Sequence, residues 1–249
     1  MNILVCLSNV PDTTTRIKLA ADNSKVDLSG IQWVINPWDE LALTRALEIK
    51  ETTGTLVGKV SVAMVGKTEV EPTLRKALAI GADDAFRVDL DPADAFQVAA
   101  ELAGLIKANP YEIILCGIES SDYNGSMVGG MLSELLGYTS ISSVSSLSLQ
   151  DGKVALTREI DGGKETISVS APLVAIVQKG IAIDPRIPSM RGIMASRTKP
   201  LSVLASCGSP SLTSFGNFSL PVPKSACRMV DAENVPELVR LLHSEAKVI

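Results

Sequence analysis

The chain alternates short unbroken apolar runs with longer stretches whose apolar residues recur every three or four positions. Asn2 to Leu7 (NILVCL), Val57 to Val65, Ala85 to Val88 and Ile113 to Cys116 are runs of the first kind and read as buried strands. Between them, the segment opened by Asn36-Pro37 carries Leu41, Ala42, Ala46, Leu47 and Ile49 at helical spacing. Glu71 to Ile80 and Pro92 to Lys107 read as helices on the same ground. Asn36 is placed to cap the first helix, and Pro37 suits its first turn. Gly54, Gly81 and Asn109-Pro110 mark where the three helices stop. Strand and helix in regular alternation predict an α/β fold with a doubly wound, mostly parallel sheet.

The stretch Tyr111 to Met131, YEIILCGIESSDYNGSMVGGM, is the richest in candidate chemistry. Its strand ends at Gly117, a small-residue loop follows, and Met127, Met131 and Leu135 then open a helix over 126–136. Free backbone N–H groups beside a helix N-terminus favour an anion. In a doubly wound sheet such a site lies at the carboxyl ends of the strands. Here those ends are Cys6 to Ser8, Met64 to Gly66 and Cys116-Gly117, and the Asn36 helix start can join them in one crevice.

After residue 139 the texture changes. Ser140 to Leu149, Lys153 to Ile160 and Glu165 to Val169 read as successive strands, split by turns at Asp151-Gly152 and Asp161-Gly162-Gly163. Leu173 to Val177 rejoins the sheet. Residues 183–199 read as an exposed, partly structured loop. Residues 200–230 hold Pro200, Pro210, Pro221 and Pro223 with little periodicity, so this stretch needs another surface to lie on. Val235 to Ala246 reads as a closing amphipathic helix.

Composition narrows the function. The 249 residues are 46% hydrophobic but only 4% aromatic, which suits a sheet filled by Val, Ile, Leu and Ala. A net charge of −5 argues against non-specific nucleic-acid binding. No apolar run approaches the ~20 residues of a membrane span, and no basic leader precedes the first strand, so a soluble, cytoplasmic location is expected. Cys6, Cys116, Cys207 and Cys227 form no C-x-x-C pair, so no metal site is expected. The single His243 falls in the last helix, and neither a nucleophile elbow nor a P-loop is present. No catalytic residues are therefore expected: the chain reads as a binding protein rather than an enzyme.

Several segments, in order and spacing, resemble the β subunit of electron transfer flavoprotein. They are Ile35-Asn36-Pro37-Trp38-Asp39-Glu40-Leu41-Ala42, Leu78-Ala79-Ile80-Gly81-Ala82-Asp83, the 117–131 loop, Arg158-Glu159-Ile160-Asp161-Gly162-Gly163, and Asp184-Pro185-Arg186 with Ile193-Met194. The resemblance covers residues 2 to about 205. It implies a Rossmann-like three-layer αβα domain of the adenine-nucleotide-binding type over 1–185. Residues 186–249 would then supply a partner-docking loop and an irregular C-terminal arm packed on the α subunit.

The resemblance also implies a heterodimer whose α subunit holds most of the FAD, while the β subunit binds AMP structurally. The matching AMP positions are Cys6, Asn36, Pro37, Trp38, Asp39 and Val65. They continue through the loop as Ser120, Ser121, Asp122, Tyr123, Asn124, Gly125 and Ser126, and into the helix as Met127, Val128, Gly129, Gly130 and Met131. Met127 and Val128 stand where the family commonly has an amide and a threonine, which shifts the binding onto backbone N–H groups and Ser126. Met190 matches the apolar anchor that docks acyl-CoA dehydrogenases and similar flavin dehydrogenases. Glu159 matches a carboxylate that meets the FAD domain. Electrons would pass through the partner's FAD toward a membrane quinone oxidoreductase. Two alternatives stand beside this reading. One is the electron-bifurcating variant, which uses NADH and holds a second FAD; Pro11-Asp12-Thr13 leans toward it and Glu40 leans away. The other is a stand-alone adenine-nucleotide-binding module.

Overall fold

The structure is a computed structural model that describes residues 1–150, 153–224 and 226–249. The strands are β1 (Asn2–Cys6), β2 (Asn9–Pro11), β3 (Lys18–Leu19), β4 (Val26–Asp27), β5 (Trp33–Ile35), β6 (Lys59–Val65), β7 (Asp84–Asp89), β8 (Ile113–Gly117), β9 (Thr139–Gln150), β10 (Lys153–Ile160), β11 (Gly163–Val169), β12 (Leu173–Val177) and β13 (Leu201–Ala205). The helices are α1 (Pro37–Thr52), α2 (Glu71–Ile80), α3 (Ala95–Ala108), α4 (Val128–Leu136), α5 (Met190–Ser196) and α6 (Val235–Leu241).

Nine strands form one sheet in the order β11-β10-β9-β12-β8-β1-β6-β7-β13. The pairs from β9 to β13 along that order are parallel, and only β10 runs against its neighbours. Two apolar clusters flank the sheet. Ile3, Val5, Val62 and Leu115 face α1 and α2 through Leu43, Leu47, Leu74 and Leu78. Leu4, Ala63, Ile114 and Ile176 face α3 and α4 through Leu102, Ile106 and Leu132. The expected three-layer αβα arrangement is therefore the observed one. Period-two alternation sends neighbouring residues of β1 and β8 to opposite faces, and both faces are covered, so these strands are apolar throughout.

From β1 the chain moves through α1 to β6 and through α2 to β7, on one side of β1. It then crosses through α3 to β8, on the other side. The direction of winding reverses between β1 and β8, where Cys6 and Cys116 are register partners. That reversal is where a doubly wound sheet opens a crevice.

Several expectations are corrected. The third helix begins at Ala95 rather than Pro92, because Asp94 is its N-cap and accepts from Gln97 N at 2.8 Å. The fourth begins at Val128 rather than Ser126, whose φ of +51° lies outside the helical region. Asn36 precedes α1 but makes no side-chain cap. Residues 201–205, read as aperiodic, form β13 on the sheet edge beside β7. The Asp151-Gly152 turn lies outside the described residues.

Residues 206–213 find their surface within the chain itself. Glu101, buried in α3, accepts from Ser206 Oγ (2.7 Å), Cys207 N (2.8 Å), Ser209 N (3.1 Å) and Ser209 Oγ (2.6 Å). Asp94 accepts from Leu212 N (2.6 Å) and Thr213 N (2.7 Å). The chain divides into two compact units, Met1–Lys18 with Asp27–Gly216, and Leu19–Val26 with Asn217–Ile249. Within the smaller unit, Phe218 N donates to Asn23 O, Arg228 pairs with Glu245 at 3.0 Å, and α6 ends in one wider helical turn, Leu242–Ala246.

Candidate functional site

The crevice at the winding reversal is organised by two residues at the start of α1. Asn36 Nδ2 donates to Glu119 O at 2.8 Å, and Asn36 Oδ1 accepts from Ser121 N at 3.2 Å. Both ends of one amide thus grip the loop after β8. Asp39 sits one turn into the helix and is buried. Its Oδ2 accepts from Ser8 N at 2.8 Å, just past β1, and its Oδ1 accepts from Gly117 N at 2.9 Å, at the end of β8. Together they tie the ends of β1 and β8 to the N-terminus of α1. A Cβ on Gly117 would strike Asp39 Oδ1 and lie 2.8 Å from Trp38 Cβ, so glycine is required there.

Burial pushes the Asp39 carboxyl up to about 7, against the opposing pull of the Ser8 and Gly117 amides. Between roughly pH 4 and 7 the folded protein then keeps a proton that the unfolded chain has released. Stability from this group is full below about pH 4 and is lost as the pH rises through about 7, a swing of at most about 4 kcal/mol. Chemical denaturation of the protein across this range should show the decline, and Asp39→Asn should flatten it.

The loop beyond Ser121 leaves the protein surface. Asp122, Tyr123, Asn124, Gly125, Ser126 and Met127 are all exposed. The left-handed residues are Asn124 (φ +50°) and Ser126 (φ +51°), with Gly125 between them in an ordinary conformation. The Tyr123 ring lies on that of Phe215, centroids 4.9 Å apart. Ser126 Oγ donates to the Glu119 carboxylate at 3.4 Å.

α4 then starts without any side-chain cap. The first amides of such a helix have no intrahelical acceptor. A Cβ on Gly129 would meet Ile176 Cγ1 at 2.7 Å and Cys116 Cβ at 3.4 Å, so this glycine lets the helix start press onto β8 and β12. Gly130 faces open space. The donors on offer are neutral: amides of Val128, Gly129 and Gly130, and the hydroxyls of Ser120 and Ser121. They fit the phosphate of a mononucleotide held by backbone dipoles. The carboxylates of Glu119 and Asp122 limit the net charge the loop tolerates.

The structure brings Cys6, Asn36, Pro37, Trp38, Asp39, Ser120 and Ser121 to this crevice with the Val128-Gly129 helix start. Cys6 and Cys116 lie buried side by side at the ends of β1 and β8. Asn36 and Asp39 spend their polar atoms on the protein, so they shape the crevice and leave contact with a ligand to others. Val65 ends β6 next to β1, half-buried against the α3 cluster, and Met131 packs on that cluster too. Two predicted residues lie elsewhere. Met190 is 76% exposed on α5, which packs on α2. Glu159 is exposed on β10 and pairs with Lys164 at 3.0 Å. Asp83 and Asp84 are paired with Lys50 (2.6 Å) and Lys59 (2.5 Å), respectively. Glu101 and Asp94 were missed; the one available signal was a carboxylate on the apolar face of α3.

A separate cavity of about 250 Å³ is lined by Leu47, Lys50, Glu51, Gly54, Gly81 and Arg186. Its charges are already paired, Lys50 with Asp83 and Arg186 with Glu51. Among the described residues no cluster of His, Cys, Asp and Glu is arranged to hold a metal ion, and no helix is long and apolar enough to cross a membrane.

A family model described as "Electron transfer flavoprotein domain" matches residues 24–207. The electron transfer flavoprotein subunit beta of Bacillus subtilis is 33% identical over the full length of both chains. That of Syntrophomonas wolfei is 34% identical over 96% of this chain and 92% of its own. That of Bradyrhizobium diazoefficiens is 29% identical over the full length of both. With a match across most of its length and the crevice formed at the expected strand ends, the chain belongs to the electron transfer flavoprotein family, among its β subunits.

Proposed function

We propose that this chain is the β half of a heterodimer that carries electrons on a flavin held mainly by its α subunit. Family membership makes it an electron-carrier subunit rather than an enzyme. The finer reading is that it holds AMP in the crevice between β1 and β8. The observation that carries this is the paired grip of Asn36 and Asp39, which fixes the crevice beside the uncapped start of α4. The amides of Val128 to Gly130 would take the phosphate, with Ser120, Ser121 and the 122–127 loop around it. Residues 186–249 would supply the docking loop and the arm on the α subunit. Glu159, at the exposed hairpin edge, would face the FAD domain.

The flavin supplies one- and two-electron chemistry; the protein supplies its placement. Donors would be acyl-CoA dehydrogenases or similar flavin dehydrogenases met through Met190, and the acceptor a membrane quinone oxidoreductase. A small apolar anchor suits brief encounters with several donors.

The test is to purify the heterodimer, denature it and identify the released nucleotides. AMP and FAD in equal amounts is the expected result. Two FAD per heterodimer would replace this reading by the bifurcating one. No adenine nucleotide beyond one FAD would overturn the crevice assignment.

A further inference from the structure

The segment from Ile183 to Lys199 combines an apolar surface with an unusually firm seat. Ile183, Ile187, Met190 and Met194 are exposed by 96%, 85%, 76% and 70%. Its entry is pinned to α1: Arg186 N donates to Thr44 Oγ1 at 2.9 Å, and the guanidinium is bidentate on Glu51 at 2.7 and 2.6 Å. Ser189 caps α5 by accepting from Gly192 N at 3.0 Å.

Only seven residues long, α5 is too short to persist by itself. What holds it is α2. At 100° per residue, Gly192 and the buried Ser196 lie on one side of α5, and Met190 and Met194 lie on the other. The Gly192 backbone lies so close to Ala79 O in α2 that any Cβ would collide with that oxygen. The obstacle is backbone and cannot rotate away. The two helices also satisfy each other's carboxyl ends. Arg75 Nη1, from α2, donates to Ser196 O (2.7 Å) and Lys199 O (2.8 Å). Lys199 Nζ donates to Leu78 O (3.0 Å) and Ala82 O (2.6 Å).

We infer that Gly192 is a positioning residue for partner docking: its backbone-tight seat on α2 holds Met190 and Met194 outward as a preformed two-residue apolar anchor. The inference rests on the docking role proposed above for Met190, and adds Met194 to it. A small interface gains most from an anchor that is ordered before contact, since less freedom is lost on binding. Methionine supplies adaptable contact to the partner's pocket, while the helix beneath supplies fixed placement.

The test uses the flavin-loaded heterodimer as acceptor for a reduced acyl-CoA dehydrogenase, with acceptor concentration varied. Gly192→Ala should raise KM about five-fold with kcat and FAD content unchanged, since loss of a binding contact acts on encounter rather than on the bound complex. In a Met190→Ala/Met194→Ala background, Gly192→Ala should add nothing, because its effect runs through those side chains. A wild-type KM for Gly192→Ala, or the same rise in both backgrounds, overturns the inference while leaving the docking role standing. A wild-type KM for the double methionine variant overturns both. Should Gly192→Ala give no folded heterodimer, Arg75→Gln removes the α5 carbonyl contacts without adding bulk at the seat. It goes through the same cycle with the same expected and overturning results.

Discussion

Glu101→Gln should lower the stability of the protein by about 3 kcal/mol and free the backbone of residues 206–209. The carboxylate is buried in α3 and accepts four hydrogen bonds from Ser206, Cys207 and Ser209. Glutamine has the same shape but one acceptor oxygen, and its NH₂ would face a backbone amide that can only donate, Cys207 N on one side or Ser209 N on the other. The amides of Cys207 and Ser209 would lose a charged acceptor, which is worth more than a neutral one. The segment they belong to runs on to Asp94, where Leu212 N and Thr213 N dock, and then to Phe215 on Tyr123. Release at Glu101 should therefore spread toward the 120–126 loop. Hydrogen exchange at the Cys207 and Ser209 amides reads the local effect, and denaturant unfolding reads the global one.

Acid should mimic this substitution. Burial alone would raise the Glu101 carboxyl, but the Ser209, Cys207 and Ser206 donors override it and hold it at about 2. The unfolded chain takes up a proton near pH 4.5 and the folded protein only near 2, so the stability is present above about 4.5 and is lost as the pH falls toward 2. In Glu101→Gln this acid limb should be shallower. An unchanged acid limb, or unchanged exchange at Cys207 and Ser209, would show that the segment is held by something else.

The sheet was legible because its apolar runs and helical periods are strong and local. The crevice was legible as a place, since Gly117 and Asn36 announce a strand end and a helix start. What those residues do was not. Asn36 reads as a cap, yet both of its polar atoms reach residues 83 and 85 positions further along. Capping and loop-gripping use the same amide, and only the fold chooses between them. Glu101 was hidden for a related reason, because its donors come from more than a hundred positions later. β13 was obscured by Pro200 before it and by its place on the sheet edge, where Ser202 and Val203 stay exposed and the apolar signal is diluted. Gly192 looks like an ordinary loop glycine until Ala79 O appears beside it.

Gly117→Ala should cost about 3 kcal/mol of stability and lower the adenine nucleotide retained by the purified heterodimer about ten-fold. The added methyl would press on Asp39 Oδ1, on Trp38 Cβ at 2.8 Å and on Asn36 Nδ2 at 3.2 Å. Trp38 Cβ moves only with its backbone, so the start of α1 must back away from β8. That motion stretches the bonds from Ser8 N and Gly117 N to Asp39, and leaves a buried carboxyl and two amides short of partners. It also slackens the Asn36 grip on Glu119 O and Ser121 N, which sets the loop over the crevice. Gly163→Ala is the matched control: it lies on β11, away from the crevice, and its Cβ would meet nothing within 4 Å. Nucleotide content measured after denaturation should therefore collapse in the first variant and persist in the second. Equal retention in both would mean that the Asn36–Asp39 grip does not shape the ligand site, and the nucleotide would have to be sought away from the β1–β8 reversal.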